Sequence, residues 1–113
     1  MEYRFSSLNL YIANSNTGRH TIALPKGSYT IGVTAVGNEI VINYWEPVIL
    51  TSSPKYVTLE LLIVTDNYVL QDYKITPNRL RNLGHVAINN GDTLYHVFEI
   101  QSELFHPHNE FVE

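Results

Sequence analysis

From Tyr3 to Gln101 the chain alternates apolar and polar residues with period two, in short runs parted by turn residues. Such a period sends every second side chain to the same face, which is the geometry of a β-strand. The pattern confines the chain to an all-β architecture before any motif is considered. At 113 residues it is one domain, large enough to bury roughly two-thirds of the surface that its unfolded form exposes. We assign residues 1–101 to a single β-sandwich domain and 102–113 to a C-terminal tail that either docks on a neighbouring subunit or frays.

The runs themselves set the expected elements. Tyr3 and Phe5 fall in one phase and Leu8, Leu10 and Ile12 in the other, with Ser6-Ser7 between, a switch that a β-bulge would produce. Ser28 to Trp45 reads as a hairpin closed by Gly37-Asn38, the kind of two-residue loop that matches strand twist. Val48 to Leu50 is a candidate edge strand among prolines and serines. Leu59 to Val64 is apolar in both phases, as a central strand covered on both sides would be. A further strand is expected over 68–75, and 93–101 returns against 85–88. One short helix is expected near 77–83, with Thr76 to cap, Pro77 in its first turn and Gly84 at its exit. The sum is an antiparallel β-sandwich or jelly roll of about eight strands, with a small closed barrel as the other solution.

Composition then removes function classes. Seven basic against eleven acidic residues give a net charge of -4, and the basic ones are scattered except for Arg79 and Arg81. A protein that holds nucleic acid through phosphates gathers a basic stripe, so general nucleic-acid binding is not expected. The chain has no cysteine, which excludes a disulfide framework, thiolate zinc ligation and a cysteine nucleophile. Neither a leader-like start nor an apolar run long enough to span a bilayer is visible, so a cytoplasmic or virion setting, with no membrane, is expected.

Motifs that carry chemistry are missing. No G-x-S-x-G elbow and no glycine-rich phosphate loop occurs, and nothing selects a carboxylate pair from Glu39, Glu46, Glu60, Asp66 and Asp72. His106-Pro107-His108, flanked by Glu103 and Glu110, has metal-ligand types but lies in the tail, where a solvated polar segment is the simpler reading. His96 is in phase with Leu94, Phe98 and Ile100, and His85 faces it across the expected hairpin, a pair with potential pH sensitivity. We therefore expect no enzyme, no cofactor and no metal.

What remains is contact. Charged residues are only 16% of the chain while tyrosine reaches eight, a surface better at making contacts than at repelling neighbours. Tyr11, Tyr68 and Tyr95 fall in the phase opposite to their strands' aliphatic residues, which implies a second covered face. With Phe105 and Phe111 of the tail, they are the expected interface. The expected function is a non-enzymatic structural protein, a small virion-type β-sandwich of the decoration, tail or spike-support kind, whose partners are itself as a homo-oligomer or a larger assembly. The alternative is a ligand-binding module that sequesters a small nucleotide or saccharide at a subunit interface. There Arg79 and Arg81 would meet an anion, and Tyr44 or Trp45, which point to opposite faces, would stack on a ring.

Overall fold

The hairpin read from residues 28–45 is present in the computed structural model, which describes residues 2–12, 17–49, 53, 55–71, 75–88 and 91–101. Its strands are β3 (Tyr29–Val36) and β4 (Glu39–Pro47), and Gly37 supplies the positive φ that the turn requires. Before them come β1 (Tyr3–Tyr11) and β2 (Gly18–Pro25); after them come β5 (Tyr56–Val64), β6 (Leu80–Ile88) and β7 (Thr93–Ile100). All pairings are antiparallel. They form a three-stranded sheet in the order β1-β4-β3 and a four-stranded sheet in the order β2-β5-β7-β6. The fold is an all-β sandwich of seven strands among the described residues.

Four local expectations need correction. The helix expected near 77–83 is a single 3-10 turn, Pro77–Arg79, closed by the Leu80 N–H on the Pro77 carbonyl. Thr76 makes no capping bond there. A two-turn helix repays its nucleation poorly, whereas extending from Leu80 pairs the backbone with β7 and buries Leu83. The bulge expected at Ser6-Ser7 is also missing: β1 pairs with β4 without a register shift from Tyr3 to Tyr11. Its phase switch reflects apolar residues on both faces, with Leu8 and Leu10 packed against the core and Tyr3 and Phe5 exposed on the other side. Val48 and Ile49 lie outside any strand, and Leu50 falls outside the described residues. Residues 68–71 and 75 are likewise not in a strand, and 72–74 are outside the described residues.

The bulges lie between Thr30 and Gly32 and between Asn82 and Gly84, where the two sheets come together. Here β3 packs against β6. Gly84 has φ 126°, its N–H bonds the Asn82 side chain at 2.8 Å, and an added Cβ would come within 3.3 Å of Val33 Cγ2. Both the backbone angle and the close approach call for glycine.

The core fills the space between the sheets. Ile40, Ile42 and Tyr44 of β4 are buried in one cluster with Ile22, Leu24, Leu61, Ile63, Val86, Ile88, Tyr95 and Val97 of the other sheet. Each fully buried aliphatic side chain contributes about 1.5–3 kcal/mol relative to exposure. The central strand expected at Leu59 to Val64 is β5, flanked by β2 and β7, and it buries Leu61, Leu62 and Ile63. Tyr95 is a correction. It is 2% exposed and lies in the inter-sheet core, while Leu94 beside it is exposed. The phase of β7 is the reverse of that expected, because Tyr95 and Val97 face inward and the apolar Leu94, Phe98 and Ile100 take the outer phase.

Candidate functional site

The outer face of the three-stranded sheet carries a cluster of exposed rings. Register places Phe5 of β1 and Tyr29 of β3 on either side of Trp45 of β4. The Phe5 and Trp45 rings meet edge to face with centroids 5.3 Å apart, and Tyr3 and Tyr29 lie 5.8 Å apart at a tilt. All four are exposed, from 41% for Tyr3 to 61% for Tyr29. Rings of this geometry hold one another by their quadrupoles, so they form a patch and not four separate side chains. Hydrogen bonding with Tyr29 holds the Tyr3 phenol above its usual pKa, with lost hydration and the neighbouring phenol acting the same way.

Beyond the rings this face is polar and almost uncharged. Ser7 donates to the Asn43 side-chain oxygen Oδ1 at 3.0 Å, and Asn43 Nδ2 donates to the Thr34 hydroxyl at 3.4 Å. Tyr11 and Val36 stand exposed at the far end. The nearest charges, Arg4 and Glu46, occupy the opposite phase and pair at 3.1 Å. A hydrogen bond from Ser6 holds the Glu46 carboxyl below the usual range, against partial desolvation and with help from Arg4. Burial pushes the Tyr44 phenol up, with the Glu46 carboxylate and the neighbouring Tyr56 phenol acting the same way and Arg4 opposing.

A second feature lies where the sheets part. A cleft of about 480 Å³ runs between the 27–30 segment and the start of β5, lined by Val57, Thr58 and Leu59, with Arg81 and Glu99 from β6 and β7. Arg81 Nη2 bonds Glu99 Oε1 and the Thr30 carbonyl, both at 2.9 Å, and also reaches the Thr30 hydroxyl. Thr30 in turn donates to Glu99 Oε1 at 2.7 Å. Thr30 is buried, so these bonds join the two sheets through a desolvated hydroxyl.

The expected site residues are thus dispersed. Tyr11 and Tyr68 are exposed, Tyr95 is core, and Phe105 and Phe111 lie outside the described residues. Tyr44 faces the core while Trp45 faces outward, the opposition expected of neighbours on a strand. Arg79 does not join Arg81: its Nε and Nη2 bond the Gln101 carbonyl at 3.0 and 2.7 Å. His85 and His96 do meet, as a register pair with ring centroids 5.8 Å apart, and His96 Nε2 lies 3.4 Å from Asp66 Oδ1. Among the described residues no three His, Cys, Asp or Glu side chains form a metal-holding group. His106, His108, Glu103 and Glu110 are outside those residues. None of the described helices is long and apolar enough to cross a membrane.

Sequence reading missed Tyr3, Phe5 and Tyr29 as site residues, although the opposed phases of Tyr3-Phe5 and Leu8-Leu10 carried the signal. It had no access to the Thr30–Arg81–Glu99 arrangement, whose members are up to 69 residues apart. No family model, curated protein or solved structure matches the chain significantly.

Proposed function

We propose that the chain is a non-enzymatic structural protein that associates with copies of itself through the outer face of the β1-β4-β3 sheet. The observation that carries this reading is the exposed cluster of Tyr3, Phe5, Tyr29 and Trp45 on a face with no charge of its own at that end. Aromatic anchors in an uncharged surround are the composition that interface centres favour. A second copy suits the face because tyrosine, serine, threonine and asparagine each donate and accept, so the surface complements itself under a two-fold axis. The charged side chain in this phase, Glu39, stands at the end away from the rings, where Asn9 donates to it at 2.7 Å.

The area sets the strength. Three strands about 4.8 Å apart and about 30 Å long project roughly 400 Å². A standard interface takes about 800 Å² per partner. One such contact is weak, and a protein that uses it belongs in an array where many contacts act together. A virion shell, tail or spike support is such an array, and we propose this setting, or the cytoplasm in which it assembles, with Tyr11 as a peripheral contact.

The test is the mass of the isolated chain against concentration, by sedimentation or light scattering. The wild type is expected to self-associate, and Phe5→Thr with Trp45→Thr to shift it to monomer with unchanged far-ultraviolet circular dichroism. A wild type that stays monomeric at millimolar concentration overturns the reading.

A further inference from the structure

We infer that the cleft between the 27–30 segment and β5 binds a neutral saccharide, held between Arg81 and Glu99. This site is distinct from the association face except at Tyr29, which borders both. The cleft, about 480 Å³, lies in the range that takes small ligands, about 300–1,000 Å³. Its wall is apolar at Val57 and Leu59, and Tyr29 stands exposed at its mouth.

The polar floor is only half used. All three bonds from Arg81 leave through Nη2, and both bonds to Glu99 end on Oε1. Among the described residues, Arg81 Nε and Nη1 and Glu99 Oε2 therefore have no partner. Both side chains reach solvent, Arg81 at 42% and Glu99 at 12% exposure. The floor offers two donors and one acceptor side by side, held in place by the bonds that the other halves of the same groups make with Thr30. A ligand that answers both must accept and donate from adjacent atoms, as neighbouring sugar hydroxyls do.

Charge selects a neutral ligand over an anion. The Arg81 guanidinium is matched at 2.9 Å by the Glu99 carboxylate, so the floor carries no net charge. A phosphate drawn to Arg81 would also face that carboxylate at close range. Lys26 and Lys55 are joined backbone to backbone at 2.7 Å near the mouth, but neither lines the cleft. The apolar wall gives a pyranose ring's C–H face a surface to cover, as aromatic and aliphatic walls do in small-ligand pockets.

The experiment is a nuclear magnetic resonance titration of the full chain, isotope-labelled, with methyl glucoside, methyl galactoside, methyl mannoside and N-acetylglucosamine at tens of millimolar. AMP is the charged comparator. At least one sugar is expected to shift the amides of residues 28–30, 58–59 and 81 saturably, while AMP does not. Arg81→Lys keeps the cation but loses the fork, and affinity should fall about tenfold. Val57→Trp, at an exposed position on the apolar wall, should abolish the shifts while the remaining spectrum stays folded, which keeps the test decisive if the Arg81 variant does not fold. Repeating the titration on the Phe5→Thr, Trp45→Thr chain separates this result from the association test. The inference is overturned if no sugar shifts these amides, if the shifts map to Tyr3 and Trp45, or if AMP alone binds.

Discussion

Two outward-facing apolar residues, one in a central strand of each sheet, are treated in opposite ways. Trp45 and Leu62 both belong to central strands, β4 and β5, and both point away from the core. Leu62 is 3% exposed and Trp45 is 42% exposed. Register explains the contrast. Leu62 stands mid-strand between Arg19 and Phe98, and Arg19 reaches over the sheet to pair with Glu60. Such a long charged side chain covers aliphatic surface with its stem and keeps its head in water. Trp45 stands near the end of β4 between two other rings, Phe5 and Tyr29, and no charged stem shares its phase there. Around Leu62 the chain itself covers the outer face, whereas around Trp45 a group of rings is left exposed. The contrast holds for these two places and not for the faces as wholes: Val41, in phase with Trp45, is buried and Leu94 of β7 is exposed.

The sharpest way to break this division of faces is to compare tyrosines. Tyr95→Ala should cost about 3–5 kcal/mol, as removal of a buried ring does, whereas Tyr11→Ala should stay within about 0.5 kcal/mol in chemical denaturation. Equal effects would mean that the inner and outer faces are wrongly assigned. Next in size, Leu62→Ala should cost about 2–4 kcal/mol although Leu62 faces outward. Trp45→Thr should cost about 1 kcal/mol or less in the monomer, measured the same way. A larger loss at Trp45 than at Leu62 would reverse the contrast.

Smaller effects sharpen the picture of the edges. Thr30→Val removes the hydroxyl that bonds both Arg81 and Glu99, and should lower stability by about 1–3 kcal/mol in urea denaturation. The smallest effect is a pH dependence. Ser6 and Arg4 hold the folded Glu46 carboxyl below its usual value, so the unfolded chain takes up that proton first as pH falls. The stabilisation is whole above the ordinary glutamate pKa, about 4.3, and is lost as pH drops through the lower folded value. Ser6→Ala should move the Glu46 titration, followed by carbon-detected nuclear magnetic resonance, toward higher pH. No movement would show that the Ser6 hydrogen bond is not the main cause.

Much of the fold was legible because the strand period is local. Gly37-Asn38 with alternation on both sides announced the β3–β4 hairpin, and the two-phase run at Leu59 to Val64 announced a central strand. The helix near 77–83 misled because capping residues describe what a short segment prefers alone, and pairing with β7 outweighed that preference. The candidate site was legible in part. Trp45 was singled out for its ring and is exposed, and His85 was expected beside His96, where it lies. Tyr95 was assigned to the wrong side because both phases of β7 are apolar, so the alternation does not say which one faces the partner sheet.

By itself the sequence determined the fold class, the tightest turn and the number of faces with apolar residues, since these follow from the period and from glycine's backbone freedom. Only the tertiary structure decided which face is core, where the glycine bulges bring β3 onto β6, and how Thr30, Arg81 and Glu99 meet. The physical reason is that period two fixes alternation along a strand but not its absolute side. That choice comes from sheet-on-sheet packing between residues far apart in the chain.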